Sequence, residues 1–325
     1  MMPNLVAKNA WTFGLASFLI LLLIATKIIQ PDFGISGLDS LARAGLPFAL
    51  ATLGMAIVVI SGGIDLSIAS IMAVCGVTAA VLMQKSGDSA AILVVLFVLA
   101  LGAVIGAING ALIVITRVPD IVVTLAMLFV WEGAAILILE SPGGAAAPWL
   151  RDLIVGGVTI PGVPEDITQW LPKSLVFLAV CFALISSPIR RSKLGLMLYA
   201  IGSDQLAAFR SGVPVKRTRI LAYALSGLCA ALGGLALTMS TGIGEPIPGP
   251  YLLASVAAVV LGGVALSGGR GGFLGPILAV FVLRLVRMDL TLMSVDPNVT
   301  TIVEGTIMVI VVMIGGLIAV KGRRA

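Results

Sequence analysis

Apolar runs long enough to cross a bilayer follow one another along this chain with hardly a pause, leaving almost nothing for a soluble domain. A helix needs about 20 consecutive apolar residues to span the hydrocarbon layer. Apolar residue types fill 59% of the 325 positions and charged types only 11%, where soluble domains run near a quarter charged. In lipid the backbone must satisfy its own hydrogen bonds, which selects helices. The pattern predicts an all-α polytopic membrane protein of about ten spans. They fall near 11–30, 41–60, 67–84, 89–115, 120–139, 173–187, 219–241, 250–267, 273–290 and 299–319. Residues 1–325 then form a single transmembrane domain.

What is missing excludes whole classes of chemistry. The chain has no histidine, so imidazole metal sites, general bases and proton relays are ruled out. Cys75, Cys181 and Cys229 stand singly in apolar runs and read as packing residues. The net charge of +5 does not indicate nucleic acid, because excess Lys and Arg in a membrane protein collect in cytoplasmic loops. With the N-terminus inside, 13 of the 20 basic residues are cytoplasmic. They are Lys8, Arg117, seven from Arg190 to Arg219, Arg270, Lys321, Arg323 and Arg324. Both termini are therefore expected in the cytoplasm. Met1–Ala10 carries no small-residue cleavage site, so Trp11–Ile29 reads as a retained first span.

Four segments break the apolar pattern. Ser61-Gly62-Gly63-Ile64-Asp65-Leu66-Ser67 is either a turn that caps the next helix or a broken helix lining a solute path. Ser267-Gly268-Gly269-Arg270-Gly271-Gly272 reads as a flexible basic cytoplasmic turn. Thr241–Pro250 is a Gly/Pro loop facing outward, as is the longer loop 140–172. The fourth, residues 188–218, is basic and amphipathic: Leu194, Leu198, Ile201 and Phe209 stand among polar neighbours, with Gly202 dividing two short helical pieces. It fits either a docked partner or a helix lying on the membrane. Gly102, Gly106 and Gly110 share the spacing that lets helices approach closely in lipid. Arg284 and Arg287 lie one turn apart, with Glu304 available for pairing. A faint internal echo aligns Val58–Val74 with Val264–Val280, sharing Ser-Gly-Gly and Ala-Val.

Taken together the segments resemble the permease subunits of the ribose/xylose/arabinose/galactose class of ABC importers. The likeness rests on Gly54–Ser67, Asn109-Gly110, the loop 195–213, Tyr223-x-x-Ser226-Gly227-x-x-Ala230-x-x-Gly233-Gly234, Thr241–Pro246 and Val259–Gly272. Ile68-Ala69-Ser70 departs from the Val-Gly-Ser often seen there. The resemblance implies a bacterial inner-membrane permease that works with a second permease chain, identical or not. It also implies a separate ATPase subunit, a periplasmic solute-binding protein and a small neutral sugar-like substrate. ATP and Mg would sit on the partner, since no phosphate-binding loop occurs here and no cofactor is expected on this chain. Gly195, Tyr199, Gly202, Ala207, Ala208, Ser211 and Gly212 would carry the ATPase contact. The path candidates are Ser61, Gly62, Gly63, Asp65 and Ser67. The alternative is a secondary transporter or channel for a small neutral solute, though few ionisable residues are available to couple one.

Overall fold

The computed structural model describes residues 10–159 and 161–324, and every regular element among them is helical. The N-terminal stretch with Lys8, and the last residue, lie outside the described residues. In chain order the helices begin with α1 (Ala10–Ile29), α2 (Ile35–Ile60) and α3 (Ile68–Ser86), then α4 (Ala91–Thr116) and α5 (Asp120–Ile138). Two short pieces, α6 (Pro148–Asp152) and α7 (Glu165–Thr168), precede α8 (Lys173–Arg191). The amphipathic segment folds as α9 (Lys193–Ser203) and α10 (Gln205–Arg210). The chain ends with α11 (Val215–Thr241), α12 (Tyr251–Leu261), α13 (Leu274–Leu292) and α14 (Pro297–Arg324).

Each of the ten expected spans has a helix, but seven of the described helices are long and apolar enough to cross a membrane: α1 to α5, α8 and α11. The eighth expected span, 250–267, is cut short, since α12 stops at Leu261. Gly262 and Gly263 follow, the latter at φ +83°, a left-handed geometry that ends helices. α2 ends the same way. Gly62 N–H donates to Val59 O (2.9 Å) and Gly63 N–H to Val58 O (3.0 Å), while Gly263 and Val264 repeat the pair onto Val260 and Val259. The internal echo is therefore displaced at the turns: Val259, rather than Val264, holds the place of Val58.

α2 and α11 form the core. α2 is buried along nearly its whole length from Leu41 to Ile60, and α11 packs against α2, α3 and α4. The α4–α11 contact uses the small-residue spacing seen in the sequence. A β-carbon on Gly102 would lie 2.5 Å from Gly227 O, and one on Gly106 would collide with Tyr223 O. Only glycine permits such an approach. The outer faces of α1, α4 and α5 expose Leu21, Leu93, Phe97 and Phe129, as a lipid-facing belt requires. The loop 140–172 folds back on the end of α11, where Gly143 and Gly244 exchange backbone hydrogen bonds and Ala146 N–H donates to Gly242 O (2.9 Å).

Candidate functional site

Three segments that the sequence singles out meet at one end of the bundle. The C-terminal turn of α9 lies between the end of α2 and the glycine turn that follows α12. Gly269 N–H donates to Ile60 O (2.9 Å). A β-carbon on Gly268 would stand 2.8 Å from both the Cα of Gly62 and the carbonyl oxygen of Gly202, and one on Gly202 would strike Ile60 O. Tyr199 OH, one turn earlier on α9, donates to Gly271 O (2.9 Å). Burial raises the Tyr199 phenol above its usual range, against the pull of Arg190, so it stays a donor.

The helix break expected at Gly202 falls instead at Asp204. α9 runs through Gly202, and Asp204 Oδ1 accepts from Leu206 N–H and Ala207 N–H (2.9 Å each), starting α10 as an N-cap. Gly202 is there for close approach. Ser192 caps the other end by accepting from Gly195 N–H (3.3 Å). Gly195 packs against Ile189 O, which fixes the corner between α8 and α9. α10 ends through Ser211 into Gly212 at φ +83°. Of the amphipathic face, Leu198 and Ile201 turn inward, as does Ala208, whereas Leu206 and Phe209 are 57% and 67% exposed. These two border a groove of about 550 Å³ between α10 and α11, with Val213, Pro214, Lys216 and Arg217 along it.

Beside this junction lies a buried polar cluster. Asp65 sits in the turn between α2 and α3, fully buried. Its Oδ1 accepts from Ser67 N–H (3.0 Å) and Ser67 Oγ (2.5 Å), and its Oδ2 from Ser226 Oγ (2.8 Å). Burial raises the Asp65 carboxyl, opposed by the bonds from Ser67 and Ser226. Asn109 Nδ2 donates to Ser67 Oγ (2.7 Å), and Trp131 Nε1 to Asn109 Oδ1 (3.2 Å). On the other side, Arg219 Nη2 donates to both oxygens of Asp120 (2.5 Å), and Tyr223 OH to Asp120 Oδ2 (2.7 Å). A β-carbon on Gly63 would lie 2.5 Å from Asp120 Oδ2 and 2.7 Å from Tyr223 OH. In this conformation Ser61, Asp65 and Ser67 are buried and Gly62 is exposed. Sequence reasoning missed the Asp120–Arg219–Tyr223 group, because Asp120 lies 99 and 103 positions from the other two. The one local signal was an aspartate in the first turn of a span.

Residues 37–312 match the family described as branched-chain amino acid transport system / permease component. The chain belongs to that family. Among curated relatives, this permease is 31% identical over 313 residues to the ribose import permease protein RbsC of Escherichia coli (strain K12), covering 94% of each chain. It is 29% identical over 317 residues to the autoinducer 2 import system permease protein LsrD of Escherichia coli (strain K12), covering 94% of this chain and 92% of the relative. No solved structure matches it significantly. As a permease component the chain is an integral membrane transport protein.

Proposed function

We propose that this permease admits a monosaccharide or similar polyhydroxy solute across a bacterial inner membrane, as one of two permease chains in an ABC importer. A partner ATPase holds ATP and Mg and docks on the α9–α10 segment, and a periplasmic solute-binding protein delivers the solute on the opposite side. The observation that carries the reading is the seat of Gly202 between Ile60 and Gly268, which ties the docking segment to the end of the core helix α2 and to the glycine turn after α12. The likeness to a ribose permease over 94% of the chain supports the solute class. In this reading the turn 61–67 is the inner end of the path, and Gly268–Gly272 is the turn that moves with it. The test is uptake by the reconstituted importer offered ribose, xylose, galactose or leucine. Uptake of leucine alone would move the solute class to that of the family's description.

The docking surface predicts a selective defect. Phe209→Glu and Ala207→Arg change exposed positions, so folding is expected to survive. Each puts a charge where an apolar contact forms, and an unpaired buried charge costs several kcal/mol. Solute-stimulated ATP hydrolysis in proteoliposomes is expected to fall by about tenfold or more. Full stimulation would remove α10 from the interface.

Orientation follows from the charge count. Single cysteines at Ser203 and Thr159, in a background lacking Cys75, Cys181 and Cys229, occupy exposed sites at opposite faces. An impermeant thiol reagent added outside sealed cells is expected to label position 159 alone. Labelling at 203 would invert the topology.

A further inference from the structure

Resting on the reading of a sugar importer, we propose that a cleft between α2, α12 and α13 binds the polyhydroxy solute near the middle of the membrane, through an aromatic pair and the guanidinium of Arg284. α2, α12 and α13 share a common inner level. Gly269 N–H meets Ile60 O there, and Gly262 packs on Gly275 and Pro276. From that level Phe48 is twelve residues up α2, Tyr251 ten up α12 and Arg284 ten up α13. At 1.5 Å per residue all three stand about 15–18 Å along their helices from that level, a distance equal to about half of a hydrocarbon core of about 30 Å. α12 is a half-helix, and its N-terminal end at Pro250–Tyr251 opens on the cleft. Secondary transporters frame their solutes with half-helices that end near the midplane, and α12 offers a comparable frame here.

The lining suits a sugar. Phe48 and Tyr251 stand edge to face with centroids 6.1 Å apart, and apolar ring faces suit the C–H face of a pyranose or furanose. The Arg284 guanidinium lies over both rings, 5.2 Å and 5.6 Å from their centroids. An arginine at this depth is costly and marks function by default. The aromatic contacts relieve its charge, yet its Nε is buried with no hydrogen-bond partner, an unspent donor for a hydroxyl oxygen. Arg287, one turn further out, pairs with Glu304 of α14 (Nε–Oε1 3.3 Å) and closes the same cleft. The cavity measures about 30 Å³, room for one or two waters. A sugar ring needs more room than that, so α13 and α14 must part for one to enter.

The test uses the complete importer in proteoliposomes, with ribose, xylose and galactose as probes. Arg284→Gln and Tyr251→Leu are expected to lower the sugar delivered per ATP hydrolysed by about tenfold, the worth of a charge-assisted contact. A purely structural role would lower the melting temperature and leave that ratio alone. Ala254→Cys, on the cleft wall, supplies a readout that does not depend on those variants folding. Its labelling by a small thiol reagent is expected only during turnover, and to slow when sugar is present. An unchanged sugar-to-ATP ratio, or labelling of position 254 indifferent to sugar, overturns the site. If the unmodified importer carries none of the three sugars, the sugar reading fails first, and the solute class proposed for this cleft falls with it.

Discussion

Gly106→Leu is expected to leave almost no folded permease, whereas Gly133→Leu is expected to be silent. Both glycines lie inside apolar helices, so helix propensity alone favours both changes. They differ in what a side chain would meet. At Gly106 even the β-carbon collides with the Tyr223 carbonyl and comes within 3.1 Å of Gly227 Cα. Those are backbone atoms of α11, which cannot turn aside as a side chain can. Overpacking a core costs about 1–3 kcal/mol when side chains give way, and a helix displaced whole costs more. At Gly133 nothing stands within 4 Å, and the added side chain enters lipid. The measurement is the thermal midpoint in detergent, with the yield of monodisperse protein. A loss of about 10 °C or more is expected at Gly106. A midpoint within about two degrees of the parent there would show that α4 and α11 do not touch backbone to backbone.

The helices were legible in the sequence because lipid leaves few alternatives. An apolar run of span length has one way to satisfy its backbone, and each run from 11–30 to 299–319 has its helix. The failures came where glycine, rather than hydropathy, decides. Val259–Leu266 carries no polar side chain, so it reads as helix, yet Gly263 turns left-handed and ends α12 six residues before the expected limit of 267. Gly202 misled in the opposite sense. A glycine between two amphipathic pieces suggests a break, but the capping carboxylate of Asp204 makes the break and Gly202 makes room. Hydropathy patterns report which medium a segment meets. They do not report which glycine faces another backbone.

The site was legible in its parts and not in its assembly. The sequence marked 61–67, 195–212 and 268–272 separately as interruptions, and their meeting at Ile60, Gly202 and Gly269 is a property of the packing. The same holds for Asp65. The sequence suggested that this turn caps the next helix, but no side chain caps α3; Asp65 instead holds the turn by accepting from the Ser67 amide. Nothing local points to Ser226, a hundred and sixty-one positions on. The pairing of Glu304 with one of two arginines was open in the sequence. It falls to Arg287, because Arg284 is already turned between two aromatic rings.

Arg219→Met is expected to be the most damaging loss of a single charge in the chain. It leaves Asp120 with only the Tyr223 hydroxyl and its own helix start for company. The pair is mostly withdrawn from water, with side chains 18% and 13% exposed. Removing one member of such a pair costs about 3–5 kcal/mol, somewhat less here because the α5 N-terminus favours an anion. Asp120→Asn combined with Arg219→Gln removes both charges while keeping hydrogen-bonding groups, and is expected to recover most of the loss. Asp65→Asn is expected to be mild by comparison. The retained oxygen can still take the Ser67 amide, and Ser226 can rotate to accept from the new amide group. The checks are melting temperatures of Asp120→Asn, Arg219→Gln and their double variant, closed as a cycle, with Arg219→Met and Asp65→Asn measured beside them, and uptake per inserted protein. A coupling above about 1.5 kcal/mol marks a desolvated pair acting as a unit. Coupling near zero would mean that water reaches Arg219 and Asp120, and that the start of α11 is held by packing alone. Arg219 follows the docking segment by only a few residues and Tyr223 lies one turn beyond it, so the double variant also separates two uses of the cluster. Stability that returns while uptake stays low would assign the charge pair to movement of α11 rather than to its anchoring.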